Sequence, residues 1–159
     1  MDIYSDKNYL FNPFRIKDKT PLELNKMYDL TYKELLKECN TMYEYAHNIE
    51  VYSNLNYIVG EIIARLQKDV IELKTKIKID TAITQTEERK KYIEEVDKKA
   101  PAMSYFEALA TRFSQNDINQ LADKECSLAR FKNAYKSIEE KINALKKKME
   151  SIKYEEFNQ

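Results

Sequence analysis

Few residues in this chain have the side chains that start covalent or metal chemistry near neutral pH: one histidine, His47, and two cysteines, Cys39 and Cys126. A thiol or hydroxyl nucleophile needs a base within hydrogen-bond reach. On a continuous helix Cys39 and His47 stand roughly 12 Å apart along the axis, at about 1.5 Å per residue, which is too far. Zinc needs three or four His or Cys ligands, and no second His or Cys falls at ligand spacing. With Gly60 as the sole glycine, a glycine-rich phosphate loop cannot be built. The carboxylates alternate with Lys and Arg, as on the solvated faces of helices. These residues predict a protein that is not an enzyme, with no catalytic residue, no cofactor and no metal. Both cysteines fall in helical patterns and are expected to fill small core slots as reduced thiols.

The elements around them read as helices throughout. Charged residues make up 34% and hydrophobic ones 43% of the 159 residues, with Gly 1, Pro 3 and Tyr 12. Sheets and barrels need far more turn residues, so the expected fold class is all-α: a long antiparallel helical hairpin or bundle with short connecting helices. Thr20-Pro21-Leu22-Glu23 spells a helix start, with Thr20 as cap, Pro21 in the first turn and Glu23 reaching back. From there one long helix, or two nearly collinear ones, is expected over residues 21–79, with a bend near Ser53 or at Gly60. Leu55, Val59, Ile62, Leu66, Val70, Leu73 and Ile77 recur at steps of three and four, the seam of a helix packed on another helix. A row of small residues, Cys39, Ala46, Ser53 and Gly60, is expected to let a neighbouring backbone come close.

Residues 80–117 form the expected connector. A short helix is capped by Thr84 or Thr86, Ala100-Pro101 ends it, and a second opens on the box Ser104-Tyr105-Phe106-Glu107. The last long helix, 117–154, carries the most regular seam: Leu128, Phe131, Tyr135, Ile138, Ile142, Leu145, Met149 and Ile152. The matching seams predict antiparallel pairing. That places Lys74–Lys78 near the start of the last helix and Lys146–Lys148 near residues 55–62. Domain boundaries follow: an extended N-terminal arm over 1–19, aromatic through Tyr4, Tyr9 and Phe11, and a single helical domain over 20–159.

With the formal net charge at +0, a dedicated nucleic-acid binder is disfavoured, since phosphate neutralisation supplies most of such affinity. No apolar run reaches membrane length and no signal pattern opens the chain, so a cytoplasmic protein without membrane contact is expected. Richness in Lys, Asn, Ile and Tyr suggests an AT-rich genome, such as that of a low-GC bacterium or its phage. Residues 21–60 carry three Lys against six Asp and Glu. The window Tyr43 to Leu55 holds more apolar and aromatic groups than one stripe accommodates. Tyr45, Asn48 and Tyr52 share one side of it. With Glu38 and Glu44, and with Tyr4, Tyr9 and Phe11 of the arm, they are the candidate partner-binding residues, because buried tyrosines dominate interface centres.

Within that window Tyr43-Glu44, Ala46, Asn48 and Tyr52-Ser53 resemble, in order and spacing, a helix of phage recombination mediators of the UvsY type. That resemblance implies a small helical oligomer that binds single-stranded DNA and a recombinase. By size and composition alone the chain also resembles phage-encoded anti-CRISPR inhibitors of Cas9. Three functions are therefore carried forward. The first is a non-enzymatic helical binding protein, encoded by a phage or mobile element, that inhibits a host nuclease such as Cas9 by protein contact. The second is a UvsY-like mediator, and the third a structural coiled-coil homo-oligomer.

Overall fold

The computed structural model describes residues 16–157. Tyr4, Tyr9 and Phe11, with nearly all of the expected extended arm, lie outside the described residues. Every regular element among the described residues is a helix: α1 (Pro21–Tyr32), α2 (Met42–Glu95), α3 (Met103–Phe113) and α4 (Gln115–Phe157). The chain divides into two compact units, the first from residues up to Arg65 with Ala129 onward, the second Leu66–Leu128. Helices α2 and α4 each contribute one segment to each unit.

In the first unit α1 starts as its sequence dictates. The Thr20 side chain accepts from the Glu23 N–H at 3.2 Å, and Glu23 Oε2 accepts from the Thr20 N–H at 2.7 Å. The helix ends at Tyr32 rather than running on. It then doubles back on α2: Ile16, Leu24 and Met27 pack with Ile58 and Ile62, while Tyr28 and Leu35 pack with Val51 and Leu55. The expectation of one helix, or two collinear ones, over 21–79 is therefore corrected. Stacking α1 beside α2 seals Leu24, Met27 and Ile58, each worth about 1.5–3 kcal/mol when fully buried. A collinear extension would leave them in water.

The other side of α2 meets α4. Val51, Leu55, Val59 and Ile138 form a second cluster, flanked by Ile63, Phe131, Tyr135 and Ile142. The two helices run antiparallel, as their seams require. Helix α2 passes through Ser53 and Gly60 without a break. The small row does not admit a backbone: Ala46 and Ser53 are exposed, and Gly60 faces the ring of Tyr135, where an added Cβ would sit 3.5 Å from Cε2. Ile138 occupies the position opposite Leu55 and Val59 that was expected for Lys146–Lys148, and the Lys148 charge acts instead on Cys39.

In the second unit α2 continues past Asp80 to Glu95, so the expected stop there is corrected. Thr86 Oγ1 donates to the Ala82 carbonyl at 2.9 Å. A hydroxyl satisfied four residues back inside a helix has no role as a cap. The connector shrinks to residues 96–102, α3 and Ser114. Ser104 and Glu107 form no box: Ala102 is the N-cap of α3 and supplies no side-chain bond. Phe106 is buried and meets Tyr92 edge-on at 6.0 Å. Ser114 alone separates α3 from α4. Its N–H donates to the Ala110 carbonyl, and its own carbonyl accepts from the Ile118 N–H, each at 3.0 Å. Helices α2 and α4 are again antiparallel here, crossed by Lys124–Asp69 and Lys74–Glu125 at 2.6 Å and Lys76–Asp117 at 2.7 Å. Lys74 and Lys76 thus lie near the start of α4, as the pairing predicts.

Candidate binding surface

The segment Lys33–Thr41, between α1 and α2, holds the candidate Glu38, and its shape follows from four side chains, those of Thr41 and of Glu44, His47 and Asn48 on α2. Thr41-Met42-Tyr43-Glu44 is a second capping box. Glu44 Oε2 accepts from the N–H groups of Asn40 at 2.8 Å and Thr41 at 2.9 Å, while Thr41 Oγ1 accepts from the Glu44 N–H at 3.3 Å. These bonds hold the Glu44 carboxyl below the usual carboxylate range. One turn on, Asn48 is buried and treats Leu36 as a strand treats its neighbour. Its Oδ1 accepts from the Leu36 N–H and its Nδ2 donates to the Leu36 carbonyl, both at 2.9 Å, with Cys39 Sγ 3.0 Å from Nδ2. His47 Nε2 lies 2.9 Å from the Glu34 carbonyl and donates to it in the tautomer that carries hydrogen there. The loop is therefore pinned at Glu34, Leu36, Cys39 and Asn40.

This geometry settles what each candidate residue touches. Asn48 has both ends of its amide engaged inside the chain. Glu44 spends its carboxylate on the helix start. Tyr45 is half-buried; Tyr52 is half-buried against the second core cluster, and burial pushes its phenol up, as it does for Tyr28. Tyr28 and Tyr32 stack at 6.2 Å. Glu38 is exposed. Other apolar groups around this segment are more open: Tyr43 at 80%, Tyr32 at 57% and Leu36 at 40% exposure, with Leu22 at 80% and Leu30 at 42% on α1. Tyr43 sits within the distinctive window, and its place beside the Thr41–Glu44 box would have marked it as outward-facing.

Cys39 lies in the loop, not in a helix, and Cys126 is exposed, which corrects the core role expected of both. Burial pushes the Cys39 thiol up and the nearby Glu44 adds to it, against smaller effects of Asn48 and Lys148. A thiol raised in this way is a poor nucleophile at neutral pH. His47 faces a carbonyl and not this sulfur. Among the described residues no three His, Cys, Asp or Glu side chains gather so as to hold a metal ion. No helix among them is long and apolar enough to cross a membrane.

Two further features were not visible from spacing. Arg65 donates to the carbonyls of Lys19, Ile16 and Lys17 while pairing with Glu61 at 2.8 Å. The fork of the guanidinium suits such multiple acceptors. On α4, the stretch Ala129–Glu155 carries eight Lys and Arg against four Glu, all on exposed positions. Comparison with protein-family models, curated proteins and solved structures returned no match to this chain.

Proposed function

We propose that the chain is a non-enzymatic binding protein that acts by protein contact, and that its target is a basic protein surface such as the nucleic-acid-binding region of a host nuclease. The observation that carries this reading is the pinned segment Lys33–Thr41 with its open rim. Tyr32, Leu36 and Tyr43 stand exposed on a backbone fixed by Asn48 and the Thr41 box, with exposed Glu38 and Glu50 nearby in sequence. Rigid, exposed aromatics lose little entropy on binding and serve as interface anchors. Acidic neighbours steer them toward a positive partner. Cas9 inhibition of the anti-CRISPR kind is the specific form proposed, in the host cytoplasm. The test is DNA cleavage by guide-loaded Cas9 with the chain titrated in. Inhibition lost on Tyr43→Ala and Tyr32→Ala supports the reading; full cleavage at saturating chain removes the Cas9 form of it.

A second reading, the UvsY-like mediator, is favoured by one observation: the basic excess of α4 between Ala129 and Glu155. Lysines beside tyrosines can track a single strand by phosphate contact and base stacking. Single-strand binding that falls steeply with salt and is lost on Lys146→Glu/Lys147→Glu supports it. Absence of binding at low salt removes it.

A further inference from the structure

We propose that α2 pairs with α2 of a second copy of this chain, antiparallel, through its outward face from Lys68 to Glu94. This inference stands apart from the binding rim of the first unit. In the second unit one side of α2 packs on α4. The opposite side presents Ile71 at 64%, Ile79 at 52%, Ile83 at 49% and Ile93 at 39% exposure, with exposed Ala82 between them. At 3.6 residues per turn these positions, with Lys68, Glu72, Thr75, Thr86, Lys90 and Glu94, fall within roughly 140° of the helix circumference, with exposed Lys76 and Arg89 at its two edges. Thr75 and Thr86 belong to the apolar part of the face. Each turns its hydroxyl onto the carbonyl four residues back, Ile71 and Ala82 respectively, at 2.9 Å. That bond leaves the methyl to face outward. A contiguous apolar strip with its polar atoms turned inward is what an interface presents and what a solvated surface avoids.

The occupant follows from the order of charges. The strip is bounded by two in-helix ion pairs, Lys68–Glu72 at 3.7 Å and Lys90–Glu94 at 4.0 Å, all four side chains more than 60% exposed. Apart from Lys76, which pairs with Asp117 of α4, and Arg89, each at an edge of the face, the order read forward is Lys, Glu, apolar, Lys, Glu; read backward it is Glu, Lys, apolar, Glu, Lys. The face is thus its own electrostatic complement on reversal. With a two-fold axis beside residue 81, Lys68 of one copy meets Glu94 of the other, Glu72 meets Lys90, and Ile79 meets Ile83. A parallel, in-register pair would set Lys68 on Lys68 and Glu72 on Glu72, which charge repulsion at such positions disfavours. The paired stretch is about 40 Å long. An unrelated target offers no reason for this reversal symmetry, and an isologous dimer requires it.

Sedimentation velocity on the full chain over falling concentration tests the pairing. A reversible monomer–dimer equilibrium is expected. The double variant Ile79→Lys/Ile83→Lys should weaken it about a hundredfold, about tenfold for each isoleucine. Both positions are exposed, so helix content by circular dichroism should not change. Lys90→Glu should weaken the dimer by setting Glu against Glu72 of the other copy, and adding Glu72→Lys should restore it. A monomer at every concentration overturns the proposal, as does a dimer indifferent to Ile79→Lys/Ile83→Lys. Failure of the charge swap to restore association overturns the antiparallel register.

Discussion

The first unit buries Ile16, Leu24, Met27, Val51, Leu55, Ile58, Val59 and Ile138 and leaves Leu22, Leu30, Tyr32, Leu36, Tyr43, Tyr57 and Tyr154 exposed, whereas the second buries Val70, Phe106 and Ala110 and leaves Ile71, Ile79, Ile83, Ile93, Val96, Met103, Tyr105 and Phe113 exposed. The two stretches are equally rich in isoleucine and leucine, although the first carries fourteen of the eighteen aromatic residues, so aliphatic content does not produce the contrast. Layering does. In the first unit α1 lies beside α2 and the Arg65 fork ties its leading turn down, so α2 has a neighbour on each of two sides. In the second unit α2 has α4, the short α3 and three cross-helix ion pairs, and no described residue covers its other side. The lesson is that a helix with two apolar faces needs two covers. Where the described residues supply only one, the second face is available for something else.

That contrast can be broken or sharpened by substitution. The largest effect is expected at the cores. Leu55→Ala should cost about 3 kcal/mol and Phe106→Ala about 3–4 kcal/mol, as for large-to-small changes at buried sites. Urea unfolding followed by hydrogen exchange should show the first loosening residues 51–59 and the second loosening residues 92–110. Identical exchange changes for both variants would mean that the units do not differ in kind. Next comes Asn48→Leu, similar in size but unable to answer Leu36: a loss of about 2 kcal/mol is expected from the orphaned backbone groups. Its readout is proteolysis within Lys33–Thr41, which should accelerate. Arg65→Lys should cost about 1 kcal/mol, because an ammonium cannot serve three separate carbonyls. Amides near Lys19 should then exchange faster, with those in the second unit unmoved.

The smallest effect is a pH dependence. Glu23 and Glu44 are both held below the usual carboxylate value of 4.5 by hydrogen bonds from the backbone, at Thr20 and at Asn40 and Thr41 respectively. A depressed carboxylate contributes stability that is present above its unfolded pKa and lost as pH falls through its folded one. The melting temperature should therefore decline as pH drops below about 4.5, and Glu44→Gln should flatten part of that decline. A decline of equal steepness in Glu23→Gln/Glu44→Gln would show that other groups govern acid unfolding.

Much of this was legible in the sequence, and the misses share a cause. The seams of α2 and α4 are local, periodic signals, and they gave the antiparallel pairing and the place of Lys74 and Lys76. Thr20 worked as a cap because Pro21 and Glu23 agree with it. Thr41-Met42-Tyr43-Glu44 obeys the same rule, yet a helical pattern running across it hid the break. Ser104 and Glu107 match the rule and do not use it, because Pro101 lets α3 begin at Met103. Nothing local marks the reversal of α1, which depends on Asn48 reaching twelve residues back to Leu36. Nor does spacing reveal that Arg65 serves carbonyls 45 or more residues away. Long-range polar bonds carry no period, so a reading built on periodicity passes over them.

The central claim is that the first unit is closed by two covers on α2 while the second is held by one cover and by ion pairs. Native-state hydrogen exchange in low and high salt tests it most directly. Amides at 51–59 should exchange only through global unfolding in either condition. Amides at 69–77 should exchange through smaller openings that grow more frequent in high salt, as Lys124–Asp69, Lys74–Glu125 and Lys76–Asp117 are screened. Equal, salt-independent protection in both stretches would contradict the account.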